Sequence, residues 1–317
     1  MNKINTLVDG SHGSSPYLIN NVTQGVTNKG SKYLSVIVED DTGMMDAKFW
    51  NVDDVDRAIV VKGNIIEIDY DINRYNNALQ MRINAVKALD QNTIDLSQFV
   101  QKSPIDATIL KQTIKDACYS IKDPIYAKLV LEVFKKAGTK FFSHPAASRN
   151  HHNFYGGLAT HVTGMLKLAN ALCDIYPQLD RDLLVSGVLC HDIGKLIELD
   201  SPIATQYTVE GNLCGHISIM HGMLMEIADQ CGLADKEQTL LLRHLILSHH
   251  GQYEYGSPVR PQVMEAEILY YIDNIDAKMD MITTLLDKTE PGTFSERMFA
   301  LDNRRFYRPK HDETNDQ

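Results

Sequence analysis

Over residues 16–89 apolar and polar side chains alternate in short runs, the period-two pattern of half-buried strands. Five strands are predicted, at Tyr17–Gln24, Lys32–Glu39, Met44–Trp50, Asn64–Asp71 and Ala78–Val86, with a short helix over 52–60 between the third and fourth. In the second strand Leu34, Val36 and Val38 share a face, and in the third Met45, Ala47 and Phe49 do. Asp41-Thr42-Gly43 predicts a tight turn and Arg74-Tyr75-Asn76-Asn77 a hairpin connection. Residues 90–103 are a polar connector. After it the period changes, and helical spacing holds to the end of the chain.

Ser103-Pro104 predicts a helix start, and a second helix runs from Pro124 to Ala137 before Gly138. Gly156-Gly157 precedes a long helix whose apolar stripe is Leu158, Val162, Met165 and Leu168-Ala169. Leu183–Cys190 predicts a buried helix, with Gly194 as its left-handed cap. Gly215-His216 opens an apolar helix reaching Cys231-Gly232. Asp235 is expected to cap a Leu-rich helix that ends in Ser248-His249-His250-Gly251. The last helix spans Pro261 to Leu286, and Lys310–Gln317 reads as a disordered polar end.

Seven residues with metal-ligand chemistry fall on or beside these apolar helices: His161, His191, Asp192, His216, His249, His250 and Asp273. An unpaired imidazole or carboxylate in apolar surroundings costs several kcal/mol, whereas a divalent ion satisfies both. His161, His191, Asp192 and Asp273 suit one ion. Asp192, bridging, with His216, His249 and His250 suits a second. Lys195, four residues after His191, would face the same place and neutralise a phosphate. His221 lies five residues past His216, about 140° round the helix, and is left without a role.

Composition narrows the class. Of 317 residues 44% are apolar and 23% charged, as in a soluble globular protein. No apolar run reaches the roughly 18 residues of a membrane span, and the N-terminus lacks the apolar stretch of a signal peptide. The five Cys (118, 173, 190, 214, 231) carry no C-x-x-C spacing and read as reduced thiols of a cytoplasmic protein. The net charge of −10 is uneven: −3 over 1–90, +4 over 91–150 and −11 over 151–317. Bulk attraction for polyanions is weak, so nucleic-acid binding must use local cations, stacking and metal.

Five strands with a helix between the third and fourth is the order of an OB-fold barrel, and VTQGVTNKGSKYLSVIVEDDTGMMDAKFW resembles the OB modules of nucleic-acid enzymes. In that fold the face of strands 2 and 3 and the loop between strands 4 and 5 hold single strands, which makes Lys32, Tyr33, Lys48, Trp50, Arg74, Tyr75 and Arg82 candidates. The order H…HD…H…HH…D over roughly 140–290 resembles the HD-domain metal-dependent phosphohydrolases. With NHHNFYGGLATH, HDIGK, GHIS, SHHG and FSERMFALDNRRFY, nearly the whole chain is similar to the YhaM-type 3′→5′ exoribonucleases of Gram-positive bacteria.

That resemblance implies an α+β multidomain protein: an OB-like nucleic-acid-binding domain (1–92), a helical connector (93–150), an all-α HD-domain bundle (151–300) and a tail (301–317). It implies trimming of single-stranded RNA from the 3′ end to 5′-mononucleotides, with single-stranded DNA as a further substrate of the family. Two divalent ions per chain are expected, Mn²⁺ first and Co²⁺, Fe²⁺ or Zn²⁺ as other choices. The superfamily chemistry is a hydroxide shared by two ions attacking phosphorus in line, with Asp192 bridging and Lys195 on a non-bridging oxygen. His151, His152, Arg304, Arg305 and Tyr307 are expected as phosphate contacts, the first two on an exposed loop. A nucleotide or cyclic-dinucleotide phosphohydrolase and a non-catalytic single-strand-binding factor are the alternatives.

Overall fold

The computed structural model describes residues 2–26, 30–75, 78–95, 98–148 and 152–310; Asn76, Asn77, His151 and the polar end beyond Lys310 lie outside them. The chain divides into two compact units, residues 1–102 with 201–206, and residues 103–200 with 207–317.

The first unit is built on a closed five-stranded barrel. Its strands are β1 (His12–Val26), β2 (Lys32–Asp40), β3 (Gly43–Trp50), β4 (Ile65–Tyr75) and β5 (Ala78–Ala88), with α1 (Asp54–Ile59) between β3 and β4. Around the barrel the order is β1-β2-β3-β5-β4, the OB arrangement. β1 is long enough to serve two neighbours: Leu18–Val26 pairs with β2, and His12–Leu18 with β4. A register irregularity between Ile19 and Asn21 marks where it bends. A parallel ladder from Ala47–Phe49 to Met81–Ile83 closes the barrel. The alternation read from sequence fills the interior: Leu34, Val36, Val38, Met45, Ala47 and Phe49 are all buried with Tyr17, Ile68 and Met81. Each such aliphatic side chain contributes about 1.5–3 kcal/mol by leaving water.

The second unit is helical. Its elements are α2 (Ala107–Ser120), α3 (Pro124–Ala137), α4 (Gly157–Ile175), α5 (Arg181–Cys190), the single turn α6 (Lys195–Glu198), α7 (Val209–Gln230), α8 (Glu237–Ser248) and α9 (Met264–Asp287). α5 is the axis. Every residue from Leu183 to Cys190 is buried, because α4, α8 and α9 pack around it; a helix apolar on all sides must be enclosed in this way. Gly187 lets the Leu245 and Leu269 side chains approach its backbone. α3 keeps the predicted limits for the expected reason. Asp123 accepts hydrogen bonds from the Ile125 and Tyr126 N–H groups, Pro124 takes the first turn, and Gly138 ends the helix at φ 61°. Among the described residues no helix is long and apolar enough to cross a membrane.

Several predicted boundaries shift. α2 starts at Ala107, not Pro104: Asp106 caps Thr108, while the Ser103 hydroxyl accepts from Ile105 N–H and from Thr160 Oγ1. Asp235 does not cap α8, whose N-cap is Lys236, with no side-chain hydrogen bond. α9 starts at Met264, because Gln262 N–H donates to His244 Nε2 and holds that stretch off the helix. Gly194 is not left-handed (φ −57°). Its missing side chain has another use: any Cβ there would collide with the His216 backbone.

Candidate metal centre

Five helical segments bring imidazoles and carboxylates to one place. α5 delivers His191 as its C-cap and Asp192 just beyond. α4 contributes His161, fully buried on the stripe facing α9. In α7, Gly215 breaks the helical path (φ 69°, ψ 153°), so that His216 begins a new run aimed inward. α8 ends at Ser248, and His249 and His250 follow before the left-handed Gly251 (φ 73°). α9 contributes Asp273.

Asp192 is the hub. Its Oδ2 lies 3.3 Å from His191 Nε2 and 3.9 Å from His161 Nε2; its Oδ1 lies 3.5 Å from His216 Nε2 and 3.8 Å from His249 Nε2. The two oxygens therefore face two different histidine sets. His161, His191 and Asp273 form one group with ligand atoms within 4.8 Å of one another, and His216, His249 and His250 form a second.

The ring nitrogens facing away from Asp192 are held. His191 Nδ1 lies 2.9 Å from Val188 O, His249 Nδ1 2.8 Å from Ile246 O, and His250 Nδ1 2.7 Å from Tyr255 O. His216 Nδ1 lies 3.0 Å from Glu198 Oε1, and His161 Nδ1 2.7 Å from Asp276 Oδ2. An Nδ1–H donated outward fixes the tautomer whose Nε2 lone pair points inward. At His191, His216 and His249 the inward Nε2 atoms, like Asp192 Oδ1, are buried and make no hydrogen bond among the described residues. Leaving four such atoms unsatisfied costs about 1–3 kcal/mol each. The geometry fits divalent cations with nitrogen and oxygen ligands.

The electrostatics agree. Burial alone would raise the Asp192 carboxyl, but the Lys195 ammonium and then the His191 imidazole hold it well below the usual carboxylate range. Burial opposes charge on His161, yet Asp273 and Asp276 push it up to about 9: with no cation between them a proton sits there, and a metal ion taking that place would displace the proton from Nε2. Burial and the neighbouring His250 ring drive His249 well below its ordinary value, leaving it neutral and able to ligate. Lys195 lies on the first turn beyond the pair, Nζ 2.7 Å from Asp192 Oδ2, and it lines a cavity together with His250 and Asp273.

Two supporting carboxylates, Asp276 and Glu198, escaped the sequence reading. Each follows a site residue by three positions, Asp273 and Lys195 respectively, which is one helical turn. Gly164, three residues after His161, leaves the room that Asp276 occupies. His152 is corrected: expected on an exposed loop, it is buried, with Nε2 2.7 Å from Asp276 Oδ2 and its backbone N–H donating to Asp280 Oδ2. His221 lies away from the centre and accepts from Arg243 Nε at 3.2 Å.

The other candidates lie elsewhere. In the segment after α9, Arg304 Nε donates to Leu301 O and Arg305 Nε to Ser295 O. The Tyr307 ring packs against Phe294, tilted by 55° with centroids 5.2 Å apart. On the barrel, Tyr33 and Trp50 are register partners with ring centroids 4.7 Å apart. Lys48 sits over the Tyr33 ring at 5.3 Å and is the register partner of Arg82. The Tyr33 ring covers Gly25, where any side chain would clash with it. Lys32, Arg74 and Tyr75 are exposed near the ends of their strands.

The HD domain family matches residues 158–278. Two solved OB domains are similar to part of this chain. The second OB-fold domain of replication protein A from Methanococcus maripaludis is 18% identical over 30% of this chain and 98% of its own, with a TM-score of 0.25. An OB domain from Thermoplasma acidophilum is 13% identical over 29% and 90%, with a TM-score of 0.24. Along almost its full length the chain is similar to the 3′-5′ exoribonuclease YhaM of Geobacillus sp. (strain WCH70), with 43% identity over 293 residues, 92% of this chain and 90% of that one. The chain belongs to the YhaM family of 3′-5′ exoribonucleases.

Proposed function

We infer that this protein is a metal-dependent 3′→5′ exoribonuclease acting on single-stranded RNA, and on single-stranded DNA as a second substrate. The observation that carries the reading is Asp192, buried, with one oxygen toward His161 and His191 and the other toward His216 and His249. We propose His161, His191, Asp192 and Asp273 as ligands of one ion, and Asp192, His216, His249 and His250 as ligands of a second, with Mn²⁺ the ion in each. Bound divalent ions supply charge neutralisation at the phosphoryl oxygens and lower the pKa of water for in-line attack.

The rest is work for the protein. Val188 O, Ile246 O, Tyr255 O, Glu198 and Asp276 orient the imidazoles before any ligand arrives, so little reorganisation is needed on binding. Lys195 keeps Asp192 ionised and presents its ammonium to the cavity, where a non-bridging phosphate oxygen is its counter-charge. In the net reaction water adds to phosphorus. The bond from phosphorus to the 3′ oxygen of the penultimate nucleotide breaks, releasing a 5′-mononucleotide and a new 3′-hydroxyl. The barrel's role is to hold the strand: Tyr33 and Trp50 offer stacking surface, and Lys48 and Arg82 meet phosphates. All five cysteines are free thiols, which fits a reducing, cytoplasmic compartment.

Protein stripped with EDTA and restored with Mn²⁺ should shorten a 5′-labelled RNA from its 3′ end into a descending ladder. Intact RNA under those conditions would remove this reading.

A further inference from the structure

A cavity of about 360 Å³ opens directly on the metal centre. Small-molecule sites run from about 300 to 1,000 Å³, so this one has room for a single nucleotide. One wall is α9, which contributes Asp273, Asn274, Ala277, Lys278 and Met281. These residues run two turns away from the proposed ligand Asp273, a distance of about 12 Å. The other wall is the turn Ala300–Asp302. That turn lies beyond the stretch matching the HD domain, which ends at 278. The generic domain carries the ligands, and the segment after it shapes the space beside them.

The segment is firmly built. Arg308 Nη1 donates to the carbonyls of Leu286, Asp287 and Thr289 and so ties it to the end of α9. Bridges pair Phe294 with Tyr307 and Met298 with Arg304. Leu301 is buried, and the chain then reverses through Asp302 and Asn303 at φ 57° and 55°. This left-handed pair leaves the Asp302 side chain 86% exposed, beside the cavity. Arg304 Nη2 forms an exposed ion pair with its carboxylate at 3.7 Å, longer than a hydrogen bond, while Arg304 Nε donates to Leu301 O.

Resting on the exonuclease reading, we propose that this cavity seats the 3′-terminal nucleotide, and that Asp302 selects a free 3′-hydroxyl end over a 3′-phosphate end. Ala277, Met281 and Leu301 give the sugar and base an apolar surface. The Asp302 carboxylate accepts a hydrogen bond from the terminal hydroxyl. A 3′-phosphate has no hydroxyl to donate at that position and brings like charge, so the same group rejects it.

The test compares kcat/KM on one RNA sequence bearing either a 3′-hydroxyl or a 3′-phosphate. Wild type should favour the hydroxyl end by about 10- to 100-fold, the range for a hydrogen bond to a charged group. Asp302→Gly keeps the left-handed turn, since glycine adopts it freely, and should bring the ratio close to one with an unchanged melting temperature. A wild-type ratio near one, or an unaltered ratio in the variant, overturns the proposal. Ala300→Trp, which fills the space without changing charge, should raise KM for both ends at least tenfold; an unchanged KM overturns the placement of the nucleotide. Wild-type protein that shortens neither RNA fails at the earlier step, the exonuclease reading itself.

Discussion

Gly194→Ala is a one-carbon change with a large expected effect. The residue has ordinary helical angles (φ −57°, ψ −23°), so alanine meets no backbone strain. What it meets is His216. A Cβ at position 194 would come within 3.0 Å of the His216 Cα and closer still to its carbonyl, whereas ordinary contact starts at 3.4 Å. The carbonyl oxygen, the nearest of these atoms, sets the shift, so the His216 backbone must retreat by roughly 1 Å. Overpacking of this kind costs about 1–3 kcal/mol, and at about 2–4 °C per kcal/mol for a unit of this size the melting temperature should drop by several degrees. The retreat also carries His216 Nε2 away from Asp192 Oδ1, now 3.5 Å distant. Misplacing a catalytic group by about 1 Å costs up to 100-fold in rate, so RNA turnover should fall at least tenfold. Gly222→Ala is the control. It lies on the same helix six residues past His216, and a Cβ there touches nothing within 4 Å. It should be neutral, or stabilising by up to about 1 kcal/mol. Thermal unfolding and RNA turnover of the pair decide the matter: Gly194→Ala behaving like Gly222→Ala would refute the close-approach reasoning.

Three further outcomes are expected. Asp276→Asn should weaken Mn²⁺ binding about 10- to 100-fold, because the carboxylate that orients His161 is lost; an unchanged calorimetric affinity would deny it that role. Trp50→Ala should weaken single-stranded RNA binding by about 1–3 kcal/mol, the worth of one stacked base, measured by fluorescence anisotropy. Turnover of a dinucleotide should be unaffected, and unaltered RNA affinity would show that this face is not used. Burial raises the Glu39 carboxyl from 4.5 to about 7, despite a hydrogen bond from Asn20. The folded state therefore holds a proton that the unfolded chain has released. Stability from this group is complete below about pH 4.5 and is lost as pH rises through 7. Glu39→Gln should flatten that slope in melting curves of the barrel unit's transition; a slope that persists would assign it to other groups.

Period-two alternation sufficed for the number of barrel strands and their inward faces, because each strand has one face inside; it did not show that β1 starts at His12 or that Arg74 and Tyr75, expected in the hairpin connection, pair with Leu79 and Ala78 in the ladder. Helix limits were legible where the chain carries its own stop and start, as at Asp123-Pro124 and Gly138. They were not legible where a tertiary partner decided. Ser103 looks like a cap, but its hydroxyl is engaged with Ile105 and Thr160. The seven imidazole and carboxylate positions stood out because polar groups on apolar helices need a reason. Their supports did not: Asp276 and Glu198 look like solvated helix residues until α4 and α7 pack against them. His152 sits among polar neighbours in sequence, and only a positive-φ turn (46°) folds it under Asp276 and Asp280. Gly194 reads as a helix terminator, while its function is set by a helix some twenty residues further on.

The most direct measurement is a calorimetric titration of Mn²⁺ into EDTA-stripped protein, run alongside Asp192→Ala. Because each Asp192 oxygen faces its own histidine set, wild type should take up two ions per chain and the variant neither. Full uptake by Asp192→Ala, or no uptake by wild type, would contradict a metal centre organised around that carboxylate.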